Sequence, residues 1–289
     1  MRTVSRSGEA GRRWLESLPT LVAEVCATWG LEVEGPARHG EWGLVFAVRG
    51  AGTPAVLKVT WPSEDGSMER AVKALTLWDG RGAVRLLRAD TVRQALLLER
   101  LDSTADLSRV GVEEALPVAG SLLRRLAVPA PASFPSLAAV ARRVGTTLPQ
   151  RWEQQGRPLS RQVVERAVAL ASELAPSVGN LLVNWDIHDG NVLRAEREPW
   201  LVTDPQVLAG DLEYGVAQLL WWGLEEIESS GGVRRALDRI VDSADLDADL
   251  TRAWTYVRTL DYWLWGLEAG LTVDPPRCER VIESLGRVG

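Results

Sequence analysis

Cysteine is nearly absent. The two residues, Cys26 and Cys278, stand far apart without C-x-x-C spacing, which excludes a disulfide framework and a cysteine-based zinc site. Histidine is as scarce, His39 and His188 being the pair, so a histidine-rich metal centre is excluded as well. No apolar run approaches the roughly 20 residues of a membrane helix, and the N-terminus carries Arg and Glu with no signal-like apolar core. The expectation is a cytoplasmic protein without a membrane partner. A net charge of −6 argues against a nucleic-acid partner, which needs a basic face to displace counterions, and is compatible with a cationic substrate. Lysine is scarce in a more pointed way: of 33 basic residues, all but Lys58 and Lys73 are arginine.

What is present reads as a chain of 289 residues, enough for one large core or two modest lobes. Residues 11–29 carry Trp14, Leu15, Leu18, Leu21, Val22 and Val25 at helical spacing, with Gly30 as a stop. Three short runs follow, 31–37, 43–49 and 54–60, rich in Val, Leu and Phe and separated by Gly-containing turns, which predicts an antiparallel trio. A helix is predicted over 67–78, then strands over 84–90 and 93–100. Beyond about Asp102 strand signals nearly vanish, and helices are predicted over 112–126, 136–144, 160–174, 212–224 and 250–267, with Pro129, Pro131, Pro135 and Pro149 marking loops. That shift in pattern sets a boundary between residues 1–101 and 102–289.

The chemistry gathers between Val183 and Asp211. Asp186 and Asn191 lie five apart across a short loop, and Asp204 follows the apolar run Trp200-Leu201-Val202. The runs Leu181-Leu182-Val183 and Trp200-Leu201-Val202 are short enough to be the two arms of one small hairpin, which would bring their polar ends together. One carboxylate can orient or deprotonate a hydroxyl nucleophile, while an Asn oxygen and an Asp oxygen, both hard ligands, suit Mg²⁺ on nucleotide phosphates.

The segment Asp186-Ile187-His188-Asp189-Gly190-Asn191, followed by Asp204-Pro205, resembles the D-x-H-x-x-N and D-P motifs of the aminoglycoside phosphotransferases. Asn184-Trp185 stand where His-Gly is usual. Arg197 to Leu201, Ala209-Gly210-Asp211 and the stretch from Ser5-Arg6-Ser7-Gly8 to Pro19 resemble most the branch holding the streptomycin and hydroxyurea phosphotransferases, so the likeness spans nearly the whole chain. It implies an α+β, bilobal, protein-kinase-like fold: a small N-terminal lobe with an antiparallel sheet and a larger, mainly helical C-terminal lobe.

The resemblance also implies roles. ATP would be the phosphoryl donor and Mg²⁺ the metal, held by Asn191 and Asp204, with Asp186 positioning the acceptor hydroxyl. Lys58, a compact ammonium inside an apolar strand, would bind the α- and β-phosphates; a strand-edge lysine reaching water is the plainer reading. Glu69 would orient Lys58, with Glu64 as the weaker choice. Gly40 and Gly43 flank Glu41 and Trp42 in a loop that would cover the phosphates through backbone N–H groups, since Gly43 replaces the usual Ser or Thr. Backbone at Glu99 and Leu101 would pair with adenine. His188 and Asp211 would make structural hydrogen bonds, and Gly215 stands where many relatives have an Asp.

For the acceptor, a small hydroxylated and cationic compound, the family uses its C-terminal helical region. There Trp254, Arg258, Asp261, Trp265 and Glu268 share one helical face, and Glu225, Glu226 and Glu228 could add negative charge. Packing plus surface charge would also explain that stripe. Two other functional readings remain open: a kinase of another antibiotic or metabolite, such as hydroxyurea or a cationic peptide, and a nucleotide-binding pseudokinase, to which the departures at Asn184-Trp185, Gly43 and Gly215 point.

Overall fold

The apolar stripe near the N-terminus forms the helix Gly8–Trp29 (α1), which buries Leu18, Val22, Val25 and Cys26. Those side chains share one core with Val48, Ala55, Leu57, Val59 and Leu97 of a sheet. Each buried Val or Leu contributes about 1.5–3 kcal/mol, so α1 supplies much of what holds that face dry. The computed structural model describes residues 8–40, 42–63, 65–227 and 229–286. The readings at Ser5 to Ser7, Glu41, Glu64 and Glu228 lie outside the described residues.

The sheet comprises Leu31–Val33 (β1), Arg38–His39 (β2), Gly43–Gly50 (β3), Thr53–Thr60 (β4), Leu86–Asp90 (β5) and Ala95–Glu99 (β6). Its order is β1-β3-β4-β6-β5, with β2 on β3, and every pair is antiparallel. The strand expected over 31–37 ends at Val33, because Gly35 turns the chain at φ +86, and the short β2 follows beyond that range. The helix Ser67–Trp78 (α2) has the bounds read from its periodicity. Alternation along β4 buries Ala55, Leu57 and Val59 toward α1 and leaves Lys58 half-buried on the other face.

Where the chain leaves this sheet, Arg100 fastens it. Its guanidinium donates to the carbonyls of Ala55 (3.1 Å) and Val48 (2.8 Å) and to Glu34 Oε2 (2.8 Å). Glu34 also accepts from Arg49 at 2.7 Å, and hydrogen bonds from both arginines hold its carboxyl below the usual range. None of this was legible beforehand, since Glu34 and Arg100 are 66 residues apart.

The chain divides after Asp102, and a second unit begins at Ser103. Short strands recur from this division onward, two of them at the apolar runs 181–183 and 200–202 read as strand arms and three not anticipated: Asp102–Asp106 (β7), Leu181–Asn184 (β8), Val192–Arg194 (β9), Trp200–Val202 (β10) and Val207–Gly210 (β11). They are interleaved with helices Val112–Arg125 (α3), Leu137–Gln154 (α4), Arg161–Leu174 (α5), Val216–Gly223 (α6), Ser230–Ala244 (α7), Ala248–Glu268 (α8) and Asp274–Gly286 (α9). Helix α4 runs on through Pro149, which was expected to mark a loop; the ring is exposed and the residue four before it is Gly145. Helices α7 and α9 went unread, although Val233, Ala236, Leu237, Ile240 and Ala244 of α7 are buried at helical spacing. Among the described residues no helix is long and apolar enough to cross a membrane.

Candidate active site

Strand β8 delivers the chain to Asp186. It pairs with β11, Asn184 opposite Val207 and Leu181 opposite Gly210. Strand β10 pairs with β9, Trp200 opposite Arg194. The runs 181–183 and 200–202 are therefore not two arms of one hairpin, as expected, but belong to two separate sheets, β8 with β11 alone and β10 with β9 and then β7. The turn of residues 195–199 brings β9 onto β10, and a near neighbour closes with less entropy loss than β8 would.

The loop between β8 and β9 is held by its own short polar side chains. Asn191 Nδ2 donates to the carbonyl of Asp186 at 2.6 Å, and Asn191 Oδ1 accepts from the backbone N–H of His188 at 3.0 Å. His188 Nδ1 accepts from Gly190 N–H at 3.2 Å, which completes a capping box around the turn Asp189–Asn191. Burial lowers the pKa of His188, but the Asp189 contact and the charges of Asp186, Asp189 and Asp204 outweigh it and raise the value. His188 thus makes the structural hydrogen bonds expected of it. The carbonyl of Asn191 then accepts from both N–H (2.9 Å) and Oγ1 (3.1 Å) of Thr203, the residue before Asp204. Asp186, Asn191 and Asp204 are brought into one local assembly. Asn191 is buried, and the two carboxylates are half-buried.

Asn184 explains part of the departure from the usual motif. Its Oδ1 accepts from the N–H of Asp186 and from that of Gln206, each at 3.2 Å. One amide oxygen thereby ties the start of the loop between β8 and β9 to the segment just past Asp204, and Trp185 N–H reinforces it by donating to the Gln206 carbonyl at 2.9 Å. Among the described residues its Nδ2 is buried without a hydrogen-bond partner. Asp211 is also structural, accepting from Gly179 N–H at 2.7 Å and Trp254 Nε1 at 2.9 Å. Gly215 is closely packed: a Cβ there would lie 2.8 Å from Leu123 Cδ1 and 3.2 Å from the Asn184 carbonyl, so a larger residue would require Leu123 to shift.

The nucleotide-binding candidates all lie in the first unit. Lys58 is flanked in the sheet by Val45 and Leu96. Glu69 is exposed in the first turn of α2. Glu99 ends β6, where its carboxylate accepts from Arg85 N–H at 3.1 Å, and Leu101 follows half-buried. Strand β2 pairs antiparallel with β3, and Gly40 N–H donates to the Gly43 carbonyl at 3.0 Å, so that N–H is already engaged. A Cβ on Gly43 would lie 2.3 Å from the Val59 carbonyl and 2.9 Å from Thr60 Cα. Both are backbone atoms, which explains why no Ser or Thr stands here. Gly43→Ser is expected to destabilise this unit by about 1–3 kcal/mol, read as a lower midpoint in denaturant; an unchanged midpoint would refute the steric explanation.

The aromatic and charged face of α8 divides into an inner and an outer half. Trp254 and Arg258 are buried, at 0% and 5% exposure, and so belong to the interior. Asp261 is paired with Arg151 and, at 3.1 Å, with Arg143; Glu268 meets Arg151 at 2.8 Å. Two arginines therefore answer these two carboxylates. Trp265, 49% exposed, stacks on Tyr262 at 5.4 Å, which stacks in turn on Trp221 at 4.3 Å. Glu225 is exposed and paired with Arg277, while Glu226 caps α3 by accepting from Val112 N–H at 3.1 Å. Arg151 escaped sequence reading because its partner Asp261 lies 110 residues away.

Comparison with known proteins identifies the family and the fold. Residues 28–270 match the family model for aminoglycoside/hydroxyurea antibiotic resistance kinases. The chain is 38% identical to a streptomycin 6-kinase of Streptomyces griseus, covering 98% of this chain and 94% of that one. It is 40% identical to a hydroxyurea phosphotransferase of Kitasatospora aureofaciens, covering 98% and 83%. Among solved structures, an aminoglycoside phosphotransferase in ternary complex with ADP and hygromycin B superposes with a TM-score of 0.62 at 16% identity, covering 92% of this chain and 98% of that one. The fold is protein-kinase-like, and the chain belongs to the aminoglycoside/hydroxyurea antibiotic resistance kinase family of phosphotransferases.

Proposed function

We propose that the chain transfers the γ-phosphoryl group of ATP to a hydroxyl of a streptomycin-like aminoglycoside and thereby confers resistance. The observation that carries the chemistry is the assembly of Asp186, Asn191 and Asp204 around one hydrogen-bonded loop. The half-buried Asp186 carboxylate orients the acceptor hydroxyl, and Lys58 holds donor phosphates. Glu69 orients Lys58, Gly40 and Gly43 shape the loop over the phosphates, and backbone at Glu99 and Leu101 takes the adenine.

The donor set fits Mg²⁺. An amide oxygen has two lone pairs, and Asn191 Oδ1 spends one on His188 N–H, leaving one for a cation. Asp204 supplies a carboxylate, and Mg²⁺ is ordinarily held by one or two such groups plus phosphates and water. When bound, it neutralises phosphate charge. Streptomycin as acceptor is supported by the relatives' activities; the face of α8 at Asp261, Trp265 and Glu268, with Glu225, is the proposed contact region.

A hydroxyurea phosphotransferase relative, which likewise matches 98% of this chain, supports a second acceptor. The test is Mg²⁺-dependent ATP turnover with each compound, followed by mass spectrometry of the acceptor. Gain of one phosphoryl group by streptomycin and none by hydroxyurea supports the proposal, and the reverse result replaces it with the second reading. ATP binding without transfer to any hydroxylated compound would favour the pseudokinase.

A further inference from the structure

Helix α8 carries a cation into the interior of the second unit, where burying a charge is costly. Arg258 is 5% exposed and, among the described residues, donates to neutral acceptors, the Tyr214 carbonyl at 2.9 Å and Gln218 Oε1 at 3.3 Å. Its guanidinium lies over three rings, 5.2 Å from Trp185, 5.0 Å from Tyr214 and 5.0 Å from Trp221. Burial pushes its pKa down, in keeping with that cost; Tyr214, Asp186, Tyr262 and Asp261 act through space in the opposite sense. A core that needed only volume would be filled better by Met or Leu.

One of the three rings identifies what the arrangement serves. Trp185 immediately precedes Asp186, at a position where the related motif has Gly. Its backbone N–H is bonded to the Gln206 carbonyl, and its ring faces the Arg258 guanidinium, so the residue is held at both its backbone and its side chain. The same guanidinium reaches the turn Leu212–Gly215 through Tyr214 and α6 through Gln218 and Trp221.

We propose that Arg258 is a positioning residue for phosphoryl transfer: clasped by Trp185, Tyr214 and Trp221, it fixes the backbone that presents Asp186. The inference rests on Asp186 being the catalytic carboxylate. A displacement of about 1 Å at a reacting group costs on the order of 10²-fold, so loosening Trp185 reaches the rate without touching a ligand.

The test compares Arg258→Met, Arg258→Lys and Trp185→Leu with the parent in four readouts: cooperative thermal unfolding, affinity for Mg·ATP, streptomycin phosphorylation, and slow Mg·ATP hydrolysis without acceptor. In folded Arg258→Met, kcat is expected to fall on the order of 10²-fold with nucleotide affinity little changed, and Arg258→Lys is expected to recover part of it by keeping a charge over the rings. Parent-like kcat in folded Arg258→Met overturns the proposal, as does a loss matching only the fraction unfolded. Should Arg258→Met fail to fold, Trp185→Leu decides: a roughly tenfold or greater fall in kcat at unchanged KM supports the proposal, and parent kcat overturns it. A parent enzyme inert toward streptomycin would sink the acceptor assignment alone, and the Arg258 comparison would then be read from acceptor-free hydrolysis.

Discussion

Asp186→Asn is expected to reduce phosphoryl transfer by about 10²–10⁴-fold while sparing ATP binding. Asn matches Asp in shape, and the two backbone contacts that seat this residue, Asn184 Oδ1 to its N–H and Asn191 Nδ2 to its carbonyl, do not involve its side chain. What disappears is the negative charge that draws and orients the acceptor hydroxyl. In a loose transition state little proton transfer is needed early, so the loss is mainly one of positioning and electrostatics. It should fall on kcat, with KM for ATP nearly constant. Parent-level kcat in this variant would remove Asp186 from the reaction.

Asn191→Ala is expected to cost on the order of 10³-fold, because this side chain has two duties. Its truncation leaves the Asp186 carbonyl and the His188 N–H without their partners inside a buried turn, and it removes the proposed metal-binding oxygen. Asn191→Asp separates the duties. The carboxylate retains an oxygen for His188 N–H and for a cation but loses the donor to Asp186, placing oxygen against oxygen at what was a 2.6 Å contact. If loop geometry dominates, both variants fail alike at every Mg²⁺ concentration. If metal holding dominates, Asn191→Asp regains activity as Mg²⁺ is raised and Asn191→Ala does not. Parent activity in both would contradict either role.

What could be read in advance follows contact distance along the chain. The loop from Asp186 to Asn191 was legible because its contacts close within five residues, so spacing alone conveys the geometry. Alternation in β4 and helical spacing in α2 carried equally local information. The pairing of β8 and β10 was misjudged because both are short apolar runs, and nothing in such a run names its partner. The Asn184 clamp joins residues 22 apart, and the ion pairs of Arg151 close over more than 100, so the sequence offers residue types there without their partners. Helices α7 and α9 are different in kind, because their backbone contacts are local and their periodic stripes are plain in the sequence. The stripe on α8 was seen, but periodicity could not tell its buried inner half, Trp254 and Arg258, from its outer half at Asp261, Trp265 and Glu268.

The most direct measurement is the intact mass of streptomycin after incubation with ATP, Mg²⁺ and either the parent enzyme or Asp186→Asn. The account predicts the gain of one phosphoryl group with the parent and almost none in the same time with the variant, while both proteins bind ATP equally. Equal phosphorylation by the two would contradict a reaction organised around Asp186, and no phosphorylation by the parent would contradict streptomycin as its acceptor.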